Sequence, residues 1–142
     1  MVGIYQFNQA ARKTLALAHQ EAVRSGHTKI GPGHILLGLI QDEGDAGKVL
    51  MEQGANLVDV RRIVANQTPA SEKAGAQPGP VDLLETTQRM LELTIEVTKQ
   101  KKQDYIACEH LLLSLINLED GRTKNIMESA GLDRDKIREH IQ

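Results

Sequence analysis

The stretch His34-Ile35-Leu36-Leu37-Gly38-Leu39-Ile40 returns as His110-Leu111-Leu112-Leu113-Ser114-Leu115-Ile116, 76 positions further along the chain. The same displacement pairs Leu15 with Leu91, Leu17 with Leu93, Ile30 with Ile106 and Lys48 with Lys124. After one inserted residue, Gly54 pairs with Gly131 and Val60 with Ile137. Self-similarity at so long a period marks one supersecondary unit written twice, each copy burying its apolar face partly against itself and partly against its twin.

Working outward from the repeated block, local signals predict helices throughout. Asn8 is an N-cap candidate, and Phe7, Ala11, Leu15, Ala18 and Ala22 recur at helical spacing toward a stop at Ser25-Gly26. Gly31-Pro32 opens a second helix with proline where a missing N–H costs least. That helix has almost no polar face, so it is expected at the buried centre of its unit. Gly38, and Ser114 in the twin, keep one side small enough for another helix to approach. A third helix carries Val49, Leu50 and Met51 and ends at Gly54, read as a left-handed cap. A fourth begins near Leu57 and sets Val60, Ile63 and Val64 on one side.

Gln67 to Pro80, rich in proline, glycine and small polar residues, reads as a linker. The second copy then places Met90, Leu93 and Val97 in one apolar row, with Lys99, Lys101 and Lys102 gathered where cations complement a helix C-terminus. Helices are expected from Cys108 to Leu118, Arg122 to Ser129 and Asp133 to Ile141. No strand-like alternation outweighs the helical pattern. The expected architecture is all-α: two tandem, pseudo-twofold-related four-helix repeats, about eight helices, with residues 1–66 as first repeat, 67–81 as linker and 82–142 as second repeat of one double-repeat domain.

Composition narrows the function. The 142 residues suit one domain or two small repeats sharing a core. With 17 Lys and Arg against 19 Asp and Glu, the net charge of -2 gives no electrostatic case for nucleic acid or an anionic membrane. Tyr5, Phe7 and Tyr105 are too few for a base-stacking platform. The lone Cys108 permits no internal disulfide and fits a reducing compartment. Apolar runs fall short of membrane-spanning length and no signal pattern opens the chain. The expected setting is cytoplasmic, or the plastid stroma if this is a plant accessory protein.

Catalytic and metal motifs are mostly missing. Gly26-His27-Thr28-Lys29-Ile30-Gly31 has the glycine spacing of a phosphate loop, but Pro32-Gly33 stands where lysine and a hydroxyl residue are required. Neither a His-Glu-x-x-His, a paired-cysteine metal motif nor a Gly-x-Ser-x-Gly elbow occurs. Cys108-Glu109-His110 is the one local cluster that suggests a thiol nucleophile, yet neighbouring helical residues point about 100° apart, so Cys108 and His110 do not face each other on a helix. His34 and His110 hold equivalent repeat positions, which favours imidazoles satisfying backbone groups at a helix start over metal ligands. Met51, Met90 and Met127 read as core filler. Glu109 suits the first turn of a helix and also stays near solvent, where it could accept a cation from a partner. No cofactor or metal is expected.

The cap at Asn8, the Leu-x-Leu of the first helix and Ile-Gly-x-x-His-Ile-Leu-Leu-Gly-Leu from Ile30, with the weaker echo from Ile106, resemble the Clp N-terminal repeat domain, most of all the N-domain of ClpC-type AAA+ unfoldases. The resemblance covers Tyr5 to Ile141. It implies a non-catalytic module that recruits substrates and adaptors to a hexameric unfoldase upstream of a Clp peptidase. In ClpC-type relatives each repeat can carry a phosphoarginine pocket, with a threonine starting the first helix and a glutamate starting the second. Carried over within each copy, those positions are Asn8 with Gly33 and Leu84 with Glu109. Neither pair is intact: Gly33 has no carboxylate and Leu84 no hydroxyl. A guanidinium without its carboxylate forgoes a pair worth about 1.5–3 kcal/mol, so protein surfaces rather than phosphoarginine are the expected ligands, with Asn8 and Glu109 as candidate binding residues. The partners expected are adaptors, protein substrates and the Clp unfoldase–peptidase assembly. A free-standing accessory subunit and a small thiol enzyme using Cys108 and His110 are the alternatives.

Overall fold

The computed structural model describes residues 6–75 and 79–141. Residues 1–5 of the expected first repeat, 76–78 of the expected linker and 142 lie outside the described residues. Among the described residues, eight helices run α1 Gln9–Arg24, α2 Pro32–Ile40, α3 Asp45–Glu52, α4 Leu57–Gln67, α5 Glu85–Gln100, α6 Cys108–Asn117, α7 Gly121–Ser129 and α8 Arg134–Ile141. The fold is all-α, with two four-helix sets related as the repeat requires.

Side-chain caps start several of these helices. Asn8, Asn56 and Asp120 each accept from a backbone N–H three residues on, at 2.9, 3.0 and 3.0 Å. The left-handed ends at Gly54 and Gly131 have φ of +88° and +76°, which glycine adopts without a Cβ penalty. At the position equivalent to Gly26, the second copy has Lys102, held at φ +56°.

Every residue of α2 is buried, and α6 is buried at eight of its ten positions. These two helices therefore form the centre, as their sequence requires. α1 packs on α2 and α5 on α6. Gly38 permits the first of these approaches: a Cβ there would stand 2.5 Å from the Thr14 carbonyl oxygen. Each buried Leu or Ile removed from water contributes about 1.5–3 kcal/mol against the entropy of ordering the chain. The outer helices pack across the halves, α3 on α8 and α4 on α7.

Two details differ from the sequence reading. Met51 is 66% exposed, so it is surface rather than core filler, whereas Met90 and Met127 are buried. Four two-residue strands are present among the described residues, β1 Gln6–Phe7, β2 Lys29–Ile30, β3 Asp82–Leu83 and β4 Tyr105–Ile106. They pair in parallel, β1 with β4 and β2 with β3. Two residues cannot display an alternating pattern, and their partners lie far away in sequence, so no local signal marks them. β2 also falls within the Gly26–Gly31 segment.

The linker segment is docked over part of its length. α4 continues to Gln67, a single 3-10 turn occupies Ala70–Glu72, and Lys73 bridges to His27. Arg122 on α7 grips Glu72 through two N–H donors at 2.8 and 2.9 Å, and the Thr28 N–H donates to the Glu72 carbonyl at 2.8 Å.

Candidate functional site

The strand pairings decide which helix starts become neighbours. Gln6 opposes Tyr105 and Phe7 opposes Ile106, while Lys29 opposes Asp82 and Ile30 opposes Leu83. Under the 76-residue displacement these are the same pairing with the halves exchanged. Each ladder runs directly into two helix N-termini. The Asn8 N–H donates to the Ile106 carbonyl at 2.9 Å, and the Leu84 N–H to the Ile30 carbonyl at 3.0 Å. The start of α1 thus lies beside the start of α6, and the start of α5 beside that of α2.

This corrects the within-copy pairing expected from the sequence. Asn8 shares its end of the molecule with Glu109, and Leu84 shares the opposite end with Gly33. Topology carries the correction: equivalent elements are swapped between the halves, which a comparison of each repeat with itself does not reveal.

The two ends have diverged. At the first, Asn8 and Glu109 are both partly exposed, and the Asn8 amide nitrogen remains available because its oxygen takes the Ala11 N–H. At the second, apolar side chains fill the space. A Cβ on Gly33 would stand 3.0 Å from Val64 and 3.1 Å from Ile126, and one on Gly31 would stand 3.1 Å from Leu84. The cavity left there measures about 10 Å³, at most room for one water. Glu72 and Arg122 line it from the linker and α7.

The repeated histidines hold the second helices of each half in place. The Gly31 N–H donates to His34 Nδ1 at 2.9 Å, and the Ala107 N–H to His110 Nδ1 at 2.9 Å. Each imidazole so caps an orphan backbone donor. Because His34 Nδ1 accepts, its proton sits on Nε2, which lies 2.8 Å from His27 Nδ1. Burial and the neighbouring imidazole push His34 down to about 4. His110 is lowered by burial as well; the position equivalent to His27 is the exposed Gln103. No group of three or more His, Cys, Asp or Glu able to hold a metal occurs among the described residues.

Cys108 is 2% exposed, its sulfur 3.4 Å from the Thr14 hydroxyl. Burial pushes the thiol up to about 11, so it is held protonated and covered, the reverse of an activated nucleophile. Missed by the sequence reading is Glu21, buried on α1, where Arg61 reaches it through two N–H donors at 2.8 Å each. The Arg61 hydrogen bonds hold its carboxyl below the usual range.

The model of the Clp repeat (R) N-terminal domain matches residues 6–128 and 82–142. The chain belongs to this family. Its curated relatives include an ATP-dependent Clp protease ATP-binding subunit ClpA homolog of Guillardia theta and the chloroplastic chaperone protein ClpC1 of Oryza sativa subsp. japonica. Each is 36% identical over 137 residues. These alignments take in 96% of the chain but only 16% and 15% of the relatives, so the chain spans about one-sixth of their length. Among solved structures, the N-terminal domain of the Clp-protease-associated chaperone ClpD from Arabidopsis thaliana superposes with a TM-score of 0.79 at 22% identity, covering 96% of this chain and 92% of that one. The ClpV N-domain in complex with a VipB peptide superposes with 0.68 at 15% identity, over 95% and 84%. The family's double helical repeat is thus the observed fold, and the exchanged strand pairs are the feature of it that assembles the two ends.

Proposed function

We propose that the chain is a non-catalytic recognition domain of a Clp AAA+ chaperone–protease system, engaging adaptors or substrate segments at the Asn8–Glu109 end. The observation that carries this reading is the divergence of the two ends, one polar and accessible, the other packed shut. A basic side chain of a partner would find the Glu109 carboxylate, and an acceptor would find the Asn8 amide and the first free N–H groups of α1. Binding therefore takes place once per chain, despite the pseudo-twofold. The chloroplastic relatives support a stromal setting beside the cytoplasmic one that composition suggests.

The same geometry supports a second reading, that the bound group is a phosphoarginine side chain. The expectation against it rested on pairing Asn8 with Gly33 and Leu84 with Glu109; the strand pairing across the halves, which brings the starts of α1 and α6 side by side, supports a hydrogen-bonding residue acting with a carboxylate at one end.

Binding of a cognate adaptor or unfoldase hexamer to the chain, followed by calorimetry, tests the first reading. Glu109→Lys is expected to weaken it at least tenfold, and Leu84→Ser, at the sealed end, to leave it unchanged. Equal affinity across wild type and Glu109→Lys would remove the site. Titration with free phosphoarginine separates the readings, since only the second expects saturable binding lost in Glu109→Gln. A partner that binds the Clp peptidase ring alone, with no unfoldase present, would instead indicate an accessory subunit.

A further inference from the structure

The outward face of α1 differs from that of its twin in a way the fold does not require. On α1, the exposed positions include Arg12, Lys13, Ala16, His19, Val23 and Arg24. Its one acidic residue, Glu21, points inward and is held by Arg61. Arg12 and Lys13 form no ion pair among the described residues, and Arg24 approaches only Glu21, at 3.9 Å. At 100° per residue, Ala16 and Val23 fall within about 20° of each other, with Arg12 and His19 on one flank and Lys13 and Arg24 on the other. The face is therefore a narrow strip in which Ala16 and Val23, with Val23 55% exposed, lie beside the exposed amides of Gln9 and Gln20 between cationic borders.

α5 supplies the internal control. Position for position, Gln9, Ala16, Gln20 and Val23 become Glu85, Glu92, Glu96 and Lys99, all exposed. Both helices bury comparable inward faces against the second helix of their half, so packing leaves these outward residues free to differ. What remains to distinguish them is what they meet outside the molecule. In a chain of net charge -2, a helix with three outward cations and no outward carboxylate is a local reversal of sign.

We infer that the outer face of α1 is a docking surface for an acidic amphipathic helix of a partner protein, laid along the Ala16–Val23 seam with its carboxylates toward Arg12, Lys13 and Arg24. A helix fits better than a polyanion. The cations span about 18 Å along the axis, matching carboxylates repeated every turn or two of a facing helix. The central residues, Ala16 and Val23 with Gln9 and Gln20, are uncharged and non-aromatic, suited to side-chain packing and not to base stacking. Three cations are also few for a phosphate backbone. The surface is separate from Asn8–Glu109 and stands whether or not that site binds.

The probe is a fluorescein-labelled helical peptide of about 16 residues, with leucines seven apart flanked by glutamates, titrated with the 142-residue chain at low salt. Reversing two borders in Arg12→Glu/Lys13→Glu is expected to raise Kd about tenfold, since two exposed attractions are lost and repulsion replaces them. Val23→Ser is expected to raise Kd about threefold through lost apolar contact. Glu92→Lys on α5 and Glu109→Lys are expected to leave it within twofold. Arg12, Lys13, Val23 and Glu92 are exposed, so the variants at these positions should keep the wild-type Tm. Unchanged affinity in Arg12→Glu/Lys13→Glu overturns the inference. So does insensitivity to Val23→Ser with polyuridylate or anionic vesicles competing as well as the peptide, which would mean a bare polyanion surface. Concentration-dependent self-association abolished by Glu92→Lys would reassign the face to a second copy of this chain.

Discussion

Acidification should destabilise this chain already above the pH at which carboxylates protonate, and His34 is the main reason. Its Nδ1 accepts the Gly31 N–H and its Nε2–H faces His27 Nδ1. A second proton has nowhere to go on His34 except Nδ1, where it would meet the donor that starts α2; on His27 it would meet the Nε2–H of His34. With a folded value of about 4 against an ordinary 6.5, the unfolded chain binds more protons between those limits, so stability rises with pH there and is fully present above 6.5. From pH 7.5 to 5 the His34 contribution falls by about 2 kcal/mol, and by about 3 kcal/mol once pH passes below 4. His27 and His110, also lowered by burial, act in the same direction. Urea unfolding followed by circular dichroism at half-unit pH steps would measure this. His34→Gln, which keeps a hydrogen-bonding amide but does not titrate, should be less stable at pH 7.5 and show a shallower slope between pH 7 and 5. A wild-type midpoint that is flat over that range, or a slope unaffected by His34→Gln, would refute the tautomer argument.

Three further outcomes follow from the packing. Gly38→Ala should destabilise by about 1–3 kcal/mol, because its methyl would meet the Thr14 carbonyl oxygen at 2.5 Å and part α1 from α2; thermal unfolding checks this. Lys102→Gly should stabilise by about 0.5 kcal/mol, the relief of a left-handed residue at φ +56° less the extra entropy glycine loses on folding. Cys108 should resist iodoacetamide at pH 8 in the folded chain and react at an ordinary thiol rate in urea, given its burial and its pKa near 11; equal rates in both conditions would contradict its placement beside Thr14.

What could be read along the chain and what could not divide by the range of the interaction. α2 declared itself because nine consecutive residues need no outside partner to be recognised as interior; Asn8, Pro32 and Gly54 act within one turn of their own positions. Nothing local marks Glu21 as buried, because its countercharge, Arg61, lies forty positions away on another helix. The pairing of Asn8 with Glu109 is of the same kind but harder. It depends on two-residue strands exchanging partners between the halves, and the repeat, being nearly symmetric, fits either pairing equally well in one dimension. Duplication adds a signal that a single copy lacks. Where both halves keep a residue, as at His34 and His110, a shared structural duty explains it: both imidazoles cap the same backbone N–H. Where exposed positions diverge while the buried ones stay matched, as from Ala16 to Glu92 or Val23 to Lys99, the core leaves the outward change unexplained. The molecule's partners must then account for it, which makes those diverged, outward positions the ones to mutate first.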